Sequence, residues 1–296
     1  MRIVTRPDFD GIVCAVLLFD VLDIQTPVKW VEPSDIQKGN EKIGEGDVLA
    51  NLPFDKRCSL WFDHHFTNEI DTPFEGAFEM APSAARVVYD HYRKQFTKDF
   101  SELVEAADKI DAADLTIDEV NYPERYPYVL LSMTVKIPGR EEAYWNHLVT
   151  LLCAGDIASV MADPEVQRRC RETTEENDEY RELLLAHTKM EGHVSVTDFR
   201  TFDETPAGNR FLVFSLFPES VVNVKIHHHD DDKGKVVVHL GHSIFNWGCH
   251  VNVGQLLAGF EGGGHRGAGA TTFSAGKADD YIPKILDTLI QNESNE

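Results

Sequence analysis

Arg2-Ile3-Val4-Thr5-Arg6-Pro7-Asp8-Phe9-Asp10-Gly11, followed by the unbroken apolar run 12–19, joins a short strand signal to a helix that is apolar on every side. Such a helix suits deep burial against a sheet. Onward from it, apolar runs at 28–31, 48–50 and 59–62 alternate with helical stretches at 11–22 and 35–43. That alternation predicts a parallel sheet with helical crossovers. From 82 to 152 the pattern is mainly helical, clearest at 83–96, 101–113 and 141–152, and predicts a helical cap.

Asp163-Pro164 then opens a long helix running to about residue 190, with an inner stripe of Val166, Cys170, Thr173, Asn177, Tyr180, Leu184 and His187. Half of the stripe is polar, which suits a helix connecting two domains. From His193 the pattern turns β-rich, with hairpin arms at 221–229 and 236–240 turned at 232–234. A helical stretch at 251–260, a glycine run, a strand at 271–273 and a last helix at 278–290 complete it. The expected fold class is α/β: a parallel doubly wound N-terminal sheet with a helical cap, a linker helix, and a smaller α/β C-terminal domain. The expected boundaries are 1–162, 163–192 for the connecting helix, and 193–296.

Composition narrows the function. A chain of 296 residues, 42% hydrophobic and 26% charged, can bury two ordinary cores. Its charge of −22, from 28 basic and 50 acidic residues, repels a nucleic-acid backbone and argues against long duplex partners. A small anion would need a bound cation or a confined basic site to reverse the field locally. Five dispersed cysteines (Cys14, Cys58, Cys153, Cys170, Cys249) form no CxxC pair and fit a reducing, cytoplasmic setting. The longest apolar run is too short to span a bilayer and no signal-peptide core is present, so no membrane partner is expected.

Asp8 and Asp10 lie between the first strand and first helix, where an open α/β sheet offers side chains to a ligand. Two carboxylates about 4 Å apart repel by roughly 4 kcal/mol at an effective dielectric near 20, which favours a divalent cation or proton uptake. The competing reading is a turn in which Asp8 caps the helix. Asp63-His64-His65 follows another apolar strand and should reach the same sheet edge. Carboxylate and imidazole ligands together suit Mn²⁺, Fe²⁺ or Zn²⁺ better than Ca²⁺. Asp108, Asp111 and Asp114 fall near one helix face, and Asp108 and Asp111 are favoured as further ligands over a solvated acidic helix end.

The run Gly262-Gly263-Gly264-His265-Arg266-Gly267-Ala268-Gly269 reads as an anion-binding loop, its backbone N–H groups converging on phosphate and Arg266 supplying a fork. His227-His228-His229 is read as a polar hairpin tip, because neighbours on a strand face opposite ways. Trp30, Trp61 and Trp145 are expected in cores or domain contacts, with Trp247 left open as a stacking platform.

Asp8-x-Asp10-Gly11, Asp63-His64-His65 and Gly262-Gly263-Gly264-His265, in that order, resemble the DHH phosphoesterase superfamily with its DHH-associated C-terminal domain. Its members include single-strand exonucleases, nanoRNA phosphatases, cyclic-dinucleotide phosphodiesterases, exopolyphosphatases and family II pyrophosphatases. The resemblance implies a metal-dependent phosphohydrolase acting on a small phosphodiester, phosphomonoester or phosphoanhydride: a short oligonucleotide, nucleotide or polyphosphate. The alternative is a catalytically weakened phosphate- or nucleotide-binding regulatory protein of the same fold. It further implies one or two ions of Mn²⁺ (or Mg²⁺) held by Asp8, Asp10 and His64, with Asp63 and His65 as catalytic support. Gly262, Gly263, Gly264, His265 and Arg266 would hold substrate phosphate. Homodimerisation is left open.

Two positions depart from the family pattern. Val4, Thr5, Arg6 and Pro7 stand where a histidine usually precedes the aspartates, and Asn51 stands where the next strand usually ends in a bridging carboxylate. Asn51 is therefore an expected but poor metal-site member, unless Asp47 or Asp55 substitutes. Arg6 is expected to place a fixed cation where one metal would lie.

Overall fold

The computed structural model describes residues 1–136 and 140–296. Contacts divide them into one unit of Met1–Leu115 with Pro123–Thr173 and a second of Thr116–Tyr122 with Thr174–Glu296. The division falls inside the long helix, so each unit includes part of it.

In the first unit, β1 (Arg2–Thr5), β2 (Lys29–Trp30), β3 (Asp47–Ala50), β4 (Leu60–Asp63) and β5 (Gly76–Phe78) form a parallel sheet in the order β2-β1-β3-β4-β5. The helices are α1 (Phe9–Val21), α2 (Pro33–Gln37), α3 (Ala84–Tyr92) and α4 (Ser101–Asp111). After α5 (Ile117–Asn121), which belongs to the second unit, come α6 (Pro127–Met133), α7 (Glu142–Ala154), α8 (Ile157–Met161) and the start of α9 (Pro164–His187).

Alternation along the strands feeds two cores. Ile3, Val48, Ala50 and Phe62 join the core built with α1, α3, α4 and α7, while Val4, Leu49 and Trp61 join Val31, Ile36, Ile43 and Leu52 in the other. Helix α1 needs apolar residues all round because it lies wholly inside: Ile12, Val13, Val16, Leu17 and Leu18 are fully buried. Each such side chain contributes about 1.5–3 kcal/mol relative to exposure.

The strand order reverses between β1 and β3, the place where an open sheet parts its connecting loops and leaves a ligand crevice at the strands' carboxyl ends. Asp8 follows β1, Asn51 follows β3 and Asp63 ends β4, so one edge gathers all three. Gly11 makes the first turn possible. A Cβ there would lie 2.0 Å from the Arg6 carbonyl oxygen and 2.8 Å from Thr5 Oγ1.

The second unit contains β6 (Thr188–Glu191), β7 (Val194–Asp198), α10 (Leu212–Leu216), β8 (Val222–His229), β9 (Asp232–His242), α11 (Val253–Ala258), β10 (Gly262–His265), β11 (Ala268–Ser274) and α12 (Ala278–Gln291). Its sheet runs β10-β11-β9-β8-β7-β6, antiparallel except for β7 with β8. Val222, Val224, Ile226, Val238 and Leu240 pack with Leu257, Ile285 and Leu289.

Three expectations are corrected. Helix α9 stops at His187, because Thr188 to Glu191 pair with β7 across the left-handed Gly192. The β8–β9 turn comes two residues earlier than expected, since His229 already pairs with Asp232 beyond a bulge. The glycine run is a β-hairpin and not a loop: Gly262 to His265 pair with Thr271 to Ala268.

The stripe Val166, Cys170, Thr173, Asn177, Tyr180 and Leu184 of α9 is buried, as are Trp30, Trp61 and Trp145, while Trp247 is 87% exposed. Among the described residues no helix is long and apolar enough to cross a membrane. Replacing Gly11 with alanine should destabilise the protein by about 1–3 kcal/mol, the range for overpacking a tight site. Denaturant unfolding followed by circular dichroism checks this, and a midpoint equal to wild type would contradict the steric account.

Candidate metal centre

Asp10 is 2% exposed and opens α1 from within. Its Oδ1 accepts the Ala85 N–H at 2.8 Å and its Oδ2 the Ala84 N–H at 2.9 Å. These amides are the first of α3, left without helical partners and capped at Ser83, so the carboxylate occupies a helix N-terminus. Burial, with Asp111 and Asp8 close by, nevertheless pushes the Asp10 pKa well above the usual carboxylate range. Favourable amides do not offset the loss of water.

His64 Nδ1 lies 2.9 Å from the Ala81 carbonyl oxygen, which accepts its N–H and leaves the Nε2 lone pair for other use. Nε2 is 3.9 Å from Asp10 Oδ2 and 3.4 Å from Asp111 Oδ2, and it is buried without a hydrogen-bond partner among the described residues. Asp10, His64 and Asp111 bring one ligand atom each within 4.8 Å of one another. An orphaned imidazole nitrogen between two carboxylates, with the opposite ring nitrogen fixed by a carbonyl, fits a divalent cation.

Asp8 is engaged differently. Its Oδ1 caps α1 by accepting the Gly11 N–H at 2.8 Å and also accepts Asn51 Nδ2 at 3.0 Å. Its Oδ2 lies 3.1 Å from Arg6 Nε. Burial still raises its pKa to about 6, against the pull of Arg6. Asn51 stands at a left-handed φ of 55°, a conformation asparagine tolerates better than most residues, and its Oδ1 is buried and unpartnered. Asp8 thus caps the helix, as the competing reading expected, with Arg6 beside it.

Asp63 is fully buried; its Oδ1 pairs with His65 Nδ1 at 2.8 Å and its Oδ2 accepts Asn68 Nδ2 at 2.6 Å. That hydrogen bond to Asp63 raises the His65 pKa.

The remaining expected acids lie elsewhere. Asp108 accepts Ser83 Oγ at 2.7 Å and Arg86 Nε at 2.9 Å, so its charge is already matched. Asp47 begins β3, at the edge opposite to Asn51, and pairs with Arg2 at 2.9 Å; Asp55 pairs with Arg57. Neither substitutes for the carboxylate missing at Asn51.

No family model and no curated protein sequence matches the chain. Solved structures do. A pGpG-specific phosphodiesterase, PggH of Vibrio cholerae, is similar at 30% identity over 99% of both chains, with a TM-score of 0.86. A DHH domain described as belonging to a family of ribosomal proteins is similar at 12% identity, covering 99% of this chain and 87% of that one, with a TM-score of 0.67. RecJ of Thermus thermophilus in complex with Mn²⁺ shares 14% identity over 99% of this chain and 52% of its own, with a TM-score of 0.59. The chain belongs to the DHH phosphoesterase superfamily.

Within this DHH phosphoesterase, the signature residues Asp63, His64 and His65 divide their work: His64 turns toward Asp10 and Asp111, and Asp63 holds His65. The glycine signature closes a hairpin in the second unit, where a Cβ at Gly264 would lie 2.3 Å from the Ala268 carbonyl oxygen. Arg266, expected to grip phosphate, lies 2.5 Å from a carboxylate oxygen of Glu296 and is exposed. The groups that sequence reasoning missed are backbone atoms and their anchors: the Ala81 carbonyl, the Ala84 and Ala85 amides, and Arg86, which claims Asp108. Pro82-Ser83 before a helix was the available signal, since a capping serine exposes the next amides.

The Ala81 contact has a direct readout. In the metal-free protein, ¹⁵N correlation spectra of His64 should show a proton on Nδ1, held by the Ala81 carbonyl. A bare Nδ1 would contradict the orientation that directs Nε2 toward Asp10 and Asp111.

Proposed function

We propose that this DHH phosphoesterase hydrolyses a short linear dinucleotide of the pGpG kind, adding one water across the internal phosphodiester to release two mononucleotides. The observation that carries it is the 30% identity, over 99% of both chains, to a pGpG-specific phosphodiesterase. The charge of −22 agrees, because a long polyanion would be repelled whereas a dinucleotide can be accepted by local cations.

Asp10, His64 and Asp111 would hold one divalent cation, Mn²⁺ or Mg²⁺. When bound, such an ion lowers the pKa of water and stabilises developing phosphoryl charge. His65, whose Nδ1 is held by Asp63 and whose pKa that bond raises, would offer its Nε2 proton to a phosphoryl oxygen. Arg6 supplies the second positive charge of the site, taking Asp8 as its partner. In the second unit, Gly262, Gly263, Gly264, His265 and Arg266 remain the proposed contacts to substrate phosphate. A reducing, cytoplasmic setting fits the five cysteines, all free.

The test is hydrolysis of pGpG in Mn²⁺ beside phosphoadenosine phosphate, pyrophosphate and polyphosphate. Turnover of pGpG is expected, with Asp10→Asn and His64→Ala each lowering kcat/KM on the order of 10³-fold, as when a charge-stabilising group is lost. Silence across the panel with Mn²⁺ bound would favour a regulatory binder, the reading supported by Arg6 and Asn51.

Metal titration followed by elemental analysis should give one ion per chain. Two ions in the wild type would exclude Arg6 as a substitute cation. The double variant Arg6→Ala, Asn51→Asp should raise the count to two, since it removes the fixed cation and restores a bridging carboxylate.

A further inference from the structure

The second unit's sheet has two unlike faces. One carries the valines and leucines packed against α11 and α12. Residues paired in register share a face, as do alternate residues along a strand. On the opposite face, therefore, one row runs Gly263, Ala270, His239 and Lys225 across β10, β11, β9 and β8, and the adjacent row begins with His265 and passes Gly241.

Three observations single this row out. First, the Lys225 side chain is half-buried and, among the described residues, makes no hydrogen bond or ion pair; burial lowers its pKa, and Asp230 pulls the other way. A half-buried lysine without an ion-pair partner, in a protein of charge −22, keeps its charge available to an anion. By contrast Arg266 already has Glu296. Second, His239 is exposed, is the cross-strand neighbour of Lys225, and stacks on His227 with ring centroids 5.3 Å apart and planes 10° apart. Registered Cβ atoms lie about 5 Å apart, so the ammonium and the imidazole reach one phosphate-sized group.

Third, the glycines of the row have no packing reason to be glycine. A Cβ at Gly262 would meet the Ala270 carbonyl oxygen at 2.5 Å, but a Cβ at Gly263 or Gly241 would meet nothing within 4 Å. A glycine that leaves open space within a strand marks a surface where a ligand approaches the backbone.

We propose that Lys225 and His239, above the floor of Gly263, Ala270 and Gly241, form an anion subsite that holds a phosphate group of the nucleotide, with His265 at its margin. The nucleotide as ligand rests on the function proposed above; the anion site itself rests on Lys225, His239 and the open glycines.

Equilibrium binding of pGpG in EDTA, where turnover is suppressed, tests it by isothermal titration calorimetry, with inorganic phosphate as a second probe followed by ³¹P line broadening. Lys225→Gln should raise the Kd for pGpG tenfold or more and abolish the phosphate broadening. Lys225→Arg, which keeps the charge, should stay within about threefold of wild type. His239→Gln should fall between them. Lys284→Gln removes the same charge from the exposed face of α12, where Lys284 pairs with Asp280, and should leave both readouts unchanged. Circular dichroism confirms that each variant is folded.

Wild-type affinity in Lys225→Gln, or phosphate broadening that survives it, would overturn the subsite, as would a wild-type protein that binds neither probe. The two proposals fail separately. Turnover of pGpG with an unchanged KM in Lys225→Gln would keep the function and remove the subsite. Weakened binding in Lys225→Gln without wild-type turnover would keep the subsite and remove the function.

Discussion

Repulsion among Asp8, Asp10 and Asp111 is the constraint around which the first unit is arranged. Burial, and after it the neighbouring carboxylates, raises the proton affinity of Asp8 and Asp10. Two carboxylates about 4 Å apart would repel by roughly 4 kcal/mol at an effective dielectric near 20, comparable to a large part of a domain's net stability. The fold answers with what it has nearby. The α3 amides face Asp10, the Gly11 amide and the Asn51 amide face Asp8, and Arg6 adds a full charge. Gly11 is indispensable because the Arg6 carbonyl must pass where a side chain would stand.

Those answers are unequal, and the inequality bears on metal count. Asp8 has its two oxygens engaged by two N–H donors and a guanidinium. Among the described residues, Asp10 receives only backbone dipoles and weak contact from Cys14, while His64 Nε2 beside it has no partner. Among the described residues, the unpartnered ligand atom of the site is therefore His64 Nε2, beside Asp10 and Asp111. A guanidinium stays charged at any working pH, so Arg6 provides a permanent countercharge to Asp8. Asn51 fits the same division: an amide donates to Asp8, which a carboxylate could not do.

Much of this was legible in the sequence, for identifiable reasons. Strand–Asp–helix order determines which sheet edge receives Asp8, Asn51 and Asp63, so their gathering followed from the alternation of apolar runs. The buried stripe of α9 likewise followed from three- and four-residue spacing. Choosing between Asp108 and Asp111 was out of reach, because both lie on α4 and the choice depends on Arg86, whose approach from α3 is a tertiary fact. The glycine run misled for a different reason. Glycine is permitted both where a loop bends and where two backbones meet closely, and only the pairing of β10 with β11 separates those uses.

An acidic protein can accept a small anion where a local cation reverses the field. Screening limits the reach of any surface charge to about 8 Å at physiological salt. A cation held within a strand face or a crevice acts over that distance on one phosphate, whereas the overall charge of −22 acts on every phosphate that projects beyond it. Arg6 in one unit and Lys225 in the other are cations of the first kind, partly withdrawn from water. In the proposed reaction, a nucleotide beyond their reach would meet the repulsion of the remaining surface. An acidic surface that opposes a long phosphate ligand would thereby favour a short one, and discrimination by length would require no side chain to measure the chain's end.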